Sequence, residues 1–163
     1  MPTLYAIALG SNQPHARLGR PCAVLSAALD ALDVAPLRLL AAAPIVASRP
    51  IGPSIRSYAN GAAIIETDLA PRDLLDHLKS IEHRFGRKAG GQRWRARVLD
   101  LDILLWLNGA YVDDALCIPH REMRKRSFVL GPLAAIAPDW RDPISGFSVR
   151  HLKARLDRKA PAA

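Results

Sequence analysis

The sequence predicts an α+β fold of the ferredoxin-like βαββαβ kind. It should hold a four-stranded antiparallel sheet, both helices on one face, and a C-terminal extension. Three observations predict it. Strand-like runs and helical stripes follow one another as β-α-β-β-α-β up to Trp106. The length of 163 residues suits one domain, with no repeat and no linker to divide it. Half of the residues are hydrophobic, enough for a sizeable core. A single domain over residues 1–163 is therefore expected, with only the final KAPAA reading as a disordered tail.

The elements follow in order. TLYAIALG reads as a strand closed by the turn signal Gly10-Ser11-Asn12. Leu18, Cys22, Leu25, Leu29 and Leu32 recur at steps of three and four and predict a first helix, closed by Pro36. LRLLAAAPIVAS is expected as a second strand, and RPIGPSIRS, dense in Pro, Gly and Ser, as a loop. YANGAAIIET is a third strand. Pro71 suits the first turn of a second helix, whose core face is Leu74, Leu75, Leu78, Ile81 and Phe85, with Gly86 as its stop. A polar loop, RKAGGQRWRA, leads into the strand RVLDLDILLW. Asn108-Gly109 predicts a hairpin turn into a short strand at Tyr111-Val112. Another helix is expected near SFVLGPLAAIA, followed by a proline-rich finish.

Composition narrows the function. The N-terminus lacks a signal peptide's charged region, and no run approaches the ~20 apolar residues of a membrane span. Cys22 and Cys117 have neither zinc-site nor disulfide spacing. These features predict a soluble, cytoplasmic protein. The net charge of +8 admits a polyanionic partner. The arginines cluster in RFGRKAGGQRWRAR and REMRKR, on either side of an aspartate pair.

That pair, Asp100 and Asp102, interrupts an apolar strand. Alternation puts Arg97, Leu99, Leu101, Ile103 and Leu105 on one face, and Val98, Asp100, Asp102, Leu104 and Trp106 on the other. The carboxylates then share the face left free by the helices, with Cα atoms about 6.6 Å apart. At an effective dielectric of about 20 they repel by roughly 3 kcal/mol, so a positive partner is required. Two readings stand: a surface ladder neutralised by Arg95 and Arg97, or a hard-cation site. Mg²⁺ typically takes one or two carboxylates and leaves its other positions to phosphate and water, and two metals about 3.5–4 Å apart could be bridged by such a pair. Arginine matches phosphate geometry, so acid pair, magnesium and phosphate form one consistent set.

Wider motifs join this block: Gly10-Ser11-Asn12, Tyr58-Ala59-Asn60, Glu82 with Phe85-Gly86-Arg87, Arg93-Trp94, Arg97 through Ile103, Ile118-Pro119-His120, Arg126 through Leu130, and Pro132-Leu133. Together they resemble the 6-hydroxymethyl-7,8-dihydropterin pyrophosphokinase family from about residue 4 to Pro138. The resemblance implies Mg-dependent transfer of pyrophosphate from ATP to a reduced pterin, releasing AMP, in folate biosynthesis. It implies two Mg²⁺ ions on Asp100 and Asp102, and phosphate contacts from Arg87, Arg97 and Arg126, of which Arg87 and Arg97 would be catalytic. His120 and Glu82 would serve the nucleotide. Trp94 would close over ATP on a flexible loop, or else act as a fixed plug. Tyr58 and Phe128 would sandwich the pterin and Asn60 would bond its edge. Gly10 would allow close approach, and Ser48, Ile51 and Gly52 would lie in a covering loop. The expected partners are ATP and the pterin, with neither nucleic acid nor membrane, on a monomer.

The chain departs from the family pattern at Ala89, where many relatives carry arginine, in the sparsely charged lid KAGGQ, and at Arg121. These departures leave open a paralogue for another hydroxymethylpterin or a catalytically weak relative. A ferredoxin-like nucleic-acid module is the rival class. It lacks support from any RNP-type aromatic motif, and two acids on the binding face would repel a phosphodiester chain.

Overall fold

The computed structural model describes residues 1–48, 58–86 and 98–159, with Ser48 as backbone only. The element order is β1 (Thr3–Ser11), α1 (Pro21–Ala31), β2 (Leu37–Ala42), β3 (Val46–Ser48), β4 (Tyr58–Thr67), α2 (Pro71–Arg84) and β5 (Asp100–Trp106). Then come β6 (Tyr111–Val112), β7 (Cys117–Ile118), a 3-10 turn at Met123–Lys125, α3 (Ser127–Ile136) and α4 (Val149–Lys159). The main sheet is antiparallel in the order β2-β4-β1-β5, with β3 also paired to β4.

The expected second strand is two strands. Pro44 has no N–H to give the ladder, so pairing lapses between β2 and β3, although the Ala43 N–H still donates to the Ala62 carbonyl at 2.9 Å. Both pieces run along the same edge of β4. The Asn108-Gly109 turn forms, with Gly109 at φ +117°, but the strand after it does not return along β5. Tyr111–Val112 pairs instead with Cys117–Ile118 in a separate ribbon.

Alternation sorts the side chains of the main sheet. Tyr5, Ile7 and Leu9 of β1, Ala59, Ala63 and Ile65 of β4, and Leu99, Leu101 and Ile103 face α1 and α2. From α1 this core receives Val24, Leu25 and Ala28, with Leu32 just beyond the helix. The predicted stripe is thus corrected at its start. The helix begins at Pro21, whose missing N–H costs nothing at a first position, so Leu18 precedes it and Cys22 is exposed. Helix α2 matches expectation, with Leu74, Leu78 and Ile81 buried and Gly86 stopping it at φ +104°.

The opposite face is not wholly free. Ala6, Ala8, Ala62, Ile64, Leu104 and Leu105 pack beneath Val129, Leu130 and Leu133 of α3 and Val149 and Leu152 of α4. Helices therefore lie on both faces, and among the described residues the end of the sheet carrying Gly10, Asn60 and Asp100 lies outside this second core. Helix α4 stands where a proline-rich finish was expected. Its signal, Val149, Leu152 and Leu156 at helical spacing, is sparse among basic residues.

A bulge corrects the alternation of β5. Ile7 pairs with Ile103 and Ala6 with Leu105, so Leu104 is an extra residue. Leu104 and Leu105 both enter the second core. Trp106 returns to the first core and stacks on Tyr5, ring centroids 6.0 Å apart. Leu105 and Trp106 thus exchange their expected faces. Val98, ahead of the strand, packs against the first core rather than sharing the aspartates' side.

The second core is tied down by Arg124 and the fully buried Asp142. Arg124 donates from Nε to Oδ2 at 2.6 Å and from Nη2 to Oδ1 at 2.8 Å. The Ile144 N–H and Ser145 Oγ also donate to this carboxylate. Burial pushes the Asp142 carboxyl upward, but these donors outweigh it and hold it below the usual range. A depressed carboxyl stabilises the fold above the unfolded pKa of about 3.9, and that contribution is lost as pH falls through the folded value. Asp142→Asn should therefore cost about 3 kcal/mol near neutrality. Its melting curve should converge with that of the native chain as the medium is acidified below the ordinary carboxylate range. A gap between the two curves that ignores pH would contradict this role.

Candidate active site

The end of the second face that lies beyond the second core among the described residues is built on one cross-strand row. In register, Asn60 of β4 lies beside Gly10 of β1, and Gly10 beside Asp100 of β5. Neighbouring strands are about 4.8 Å apart, so Asn60 and Asp100 stand roughly 10 Å apart across a glycine floor. The adjoining row is Ala62, Ala8 and Asp102. Gly10, with no side chain, leaves space above the sheet between the amide and Asp100, while Ala8 and Ala62 belong to the second core. A Cβ on Gly10 would stand 3.6 Å from Asn60 Oδ1, inside that space.

On the β5 side lies a cavity of about 520 Å³. Its walls are Leu75, Lys79 and Glu82 of α2, Asp100 to Ile103 of β5, residues 113–117 at and beyond the tip of the β6–β7 ribbon, and His120, Arg121 and Glu122. Among the described residues six carboxylates line it, against one lysine and one arginine. On a chain of net charge +8, this concentration of acid is local. The described lining would repel a polyphosphate, and cations arriving with it would offset that repulsion.

Glu82 is fixed more firmly than the sequence suggested. It is 3% exposed, and its Oε2 accepts the Leu101 N–H at 2.7 Å, between the two aspartates. The charge-assisted bond clamps β5 to α2 at the residue separating Asp100 from Asp102. The signal was present, since Glu82 lies four residues after Leu78 on the helix's core stripe. His120 also lines the cavity. Its N–H donates to the Leu104 carbonyl at 3.0 Å, and its Nδ1 accepts the Glu122 N–H at 3.1 Å. With Nδ1 an acceptor, the neutral ring carries its proton on Nε2.

On the β4 side a second cavity, about 400 Å³, is lined by Asn60, Phe128, Pro44, Val46, Ser127, Gly131, Pro132 and Ala135. It is an apolar slot with one amide, the kind of site that takes a flat heterocycle and fixes its orientation. Arg126, at the start of α3, holds its guanidinium 5.8 Å from the Phe128 ring centroid. Tyr58 shares Asn60's side of β4 but is 40% exposed and does not line this slot. The expected aromatic sandwich is therefore represented by Phe128 alone.

The structure brings together Asp100, Asp102, Glu82 and His120 around one cavity and Asn60 and Phe128 around another, with Gly10 between. Arg87, Trp94, Arg97, Ile51 and Gly52 lie outside the described residues, as does the side chain of Ser48. Sequence reasoning missed the cavity wall formed by Asp113 to Cys117 and the lining residue Lys79. No periodicity marks them, because they meet β5 only through the packing of separate elements.

The donor set fits a hard divalent cation. Asp100 and Asp102 offer oxygens on one face of a strand. Among the described residues no group of three His, Cys, Asp or Glu side chains could hold a metal by itself. A pair of carboxylates on one strand face matches the habit of Mg²⁺, which takes one or two carboxylates and leaves its other positions to phosphate and water.

The chain is similar to known proteins over most of its length. The model of a family described as 7,8-dihydro-6-hydroxymethylpterin-pyrophosphokinase matches residues 6–138. The 2-amino-4-hydroxy-6-hydroxymethyldihydropteridine pyrophosphokinase of Pseudomonas aeruginosa is 45% identical over 139 residues, covering 84% of this chain and 82% of its own. The Haemophilus influenzae protein of the same name is 41% identical over 161 residues, covering 98% and 96%. Among solved structures, wild-type Plasmodium falciparum HPPK-DHPS is similar in fold, with a TM-score of 0.74 at 12% identity. That match covers 95% of this chain but spans 41% of the Plasmodium chain.

Removing the clamp tests the site's construction. Glu82→Ala should leave the Leu101 N–H without its acceptor and cost about 1–3 kcal/mol. Amide exchange at Leu101 should accelerate more than at Ile7, deep in the same sheet. Equal acceleration at both would show that Glu82 does not hold β5 locally.

Proposed function

The chain belongs to the 7,8-dihydro-6-hydroxymethylpterin-pyrophosphokinase family, and from that premise we propose the following reading of its site. It transfers pyrophosphate from ATP to 6-hydroxymethyl-7,8-dihydropterin and releases AMP, a step of folate biosynthesis. The observation that carries this reading is the row Asn60–Gly10–Asp100, which joins an apolar slot to an acid-lined cavity. One substrate needs a flat pocket with a polar edge, the other a polyphosphate site, and the reacting groups must meet between them.

In this reading the pterin ring enters beside Phe128, with Tyr58 closing on its other face, and Asn60 bonds its amide-like edge. Gly10 keeps the floor low enough for the hydroxymethyl group to reach toward Asp100. ATP lies in the larger cavity, where His120 presents its Nε2 proton and Glu82 supports the wall. The hydroxymethyl oxygen attacks the β-phosphorus, the bond from that phosphorus to the α-phosphate bridging oxygen breaks, and AMP leaves with that oxygen. The hydroxyl proton passes to solvent water as the new bond forms. Asp100 and Asp102 would hold Mg²⁺, two ions in this reading, which when bound neutralise phosphate charge. The residues themselves contribute position and a preorganised field. No covalent nucleophile is needed.

Arg126, beside Phe128, is assigned to phosphate together with Arg87 and Arg97. Trp94 is assigned to a closing segment over ATP, and Ser48, Ile51 and Gly52 to the pterin's cover. The frame is read as a single ferredoxin-like domain over residues 1–163, its C-terminal extension capping the second face. It acts as a cytoplasmic monomer. Both faces of the sheet are packed by the chain's own helices, and none among the described residues is long and apolar enough to cross a membrane.

The deciding assay incubates the protein with ATP, Mg²⁺ and 6-hydroxymethyl-7,8-dihydropterin and separates AMP from ADP. Pterin-dependent AMP is expected, and Asp102→Asn should reduce its rate by at least about 100-fold without unfolding the chain. Formation of ADP, or of AMP without pterin, would overturn the assignment. Phe128→Ala should raise KM for the pterin roughly ten-fold and leave KM for ATP within about two-fold. The reverse pattern would place Phe128 on the nucleotide side.

A further inference from the structure

The larger cavity is a slot between two walls that are distant in sequence. One wall is α2 with β5, and the other is the segment from Asp113 to Cys117. Among the described residues, Arg72 spans them. Arg72, in the first turn of α2, donates from Nη1 to Asp113 Oδ2 at 3.2 Å. The same Oδ2 accepts the Tyr111 hydroxyl at 2.7 Å. Asp113 Oδ1 accepts the N–H groups of Ala115 and Leu116, each at 2.7 Å. One carboxylate thus receives four donors, close to its full acceptor capacity.

We propose that Arg72 and Asp113 form a cross-brace that sets the width of the slot and makes both of them positioning residues for the nucleotide. The inference rests on reading this cavity as the ATP site. The bonds to Ala115 and Leu116 shape the ribbon tip, which alone would leave it free to swing about the β6–β7 ribbon. Tyr111 anchors the carboxylate from the ribbon, and Arg72 anchors it to the opposite wall. Arg72 also lies 3.5 Å from Asp114 and 3.9 Å from Asp76, so its guanidinium bridges ribbon and helix. The hydrogen bond from Tyr111, followed by those from the Ala115 and Leu116 N–H groups and Arg72, holds the Asp113 carboxyl at about 2. It therefore stays ionised, and the brace stays closed, through the whole neutral range. Neither residue reaches the reacting atoms in this scheme. Their effect is on where the nucleoside sits relative to Asp100 and Asp102.

The test measures binding and turnover separately on Arg72→Gln, Asp113→Asn and the double variant. Binding of α,β-methylene-ATP with Mg²⁺ is titrated calorimetrically, and KM for ATP and for the pterin is measured alongside kcat. Each single variant should bind the analogue roughly five- to ten-fold more weakly and raise KM for ATP alike. The double variant should be no worse than either single one, because both remove the same brace. KM for the pterin and kcat should stay within about two-fold, and Arg72→Lys should recover part of the loss. Unchanged nucleotide affinity in folded variants would overturn the brace, as would equal losses in kcat and both KM values. Should Asp113→Asn fail to fold, Tyr111→Phe removes one donor only and must show the same selective effect on nucleotide. A native protein that binds the analogue but makes no AMP would refute the reaction and leave the brace intact. One that does not bind the analogue would refute the brace.

Discussion

The site depends on the two-residue period of β5. In that strand Leu101 and Ile103 enter the core beneath α1 and α2, and this forces Asp100 and Asp102 to the other side. The apolar residues supply the driving force, and it places both carboxylates on the same side of the strand. The buried Glu82 then secures the register by accepting the Leu101 N–H between them. A slip of one residue would bury both aspartates and expose two aliphatic side chains, so no neighbouring register competes.

The same face has two tasks along its length, and the bulge at Leu104 divides them. Before it the face carries carboxylates. After it both Leu104 and Leu105 serve the core under α3 and α4, while Trp106 crosses back to stack on Tyr5. The extra residue allows β5 to change from a half-polar strand into a fully packed one. Helix α3 follows from this division. Its Val129, Leu130 and Leu133 seal the apolar end, while Phe128 at its start stays 49% exposed beside Asn60. The helix that closes the core therefore also supplies the wall of the slot.

Charge is distributed to match. The chain as a whole is basic, yet the described lining of the larger cavity is acidic. A basic exterior favours the encounter with a polyanion, and an acidic interior demands that the anion arrive with its cations. Arg124 and Arg72 are engaged structurally, against Asp142 and Asp113. The positive charge of this protein is thus partly architectural, and net charge alone is a poor guide to which arginines face a ligand.

Whatever rests on local periodicity or local chemistry was legible from the residues in order. The alternation around Asp100 and Asp102, the stripe of α2, the stops at Gly86 and Gly109 and the pairing-ready run of β4 each depend on neighbours within a few positions. The motif resemblance added site roles for Asn60, His120 and Phe128, whose chemistry depends on context no window contains. What remained for the tertiary structure were features set by distant partners. The bulge at Leu104 answers to its pairing with β1. The bond from the Leu101 N–H to Glu82 answers to β5, and the cover by α4, whose few apolar residues acquire meaning only against Ala6 and Ile64, answers to the far face of the sheet. The wall from Asp113 to Cys117 joins the site because Arg72, 41 positions away, holds it there. Hydrophobic spacing is a one-dimensional signal, whereas packing and hydrogen-bond closure are settled only when separate segments meet.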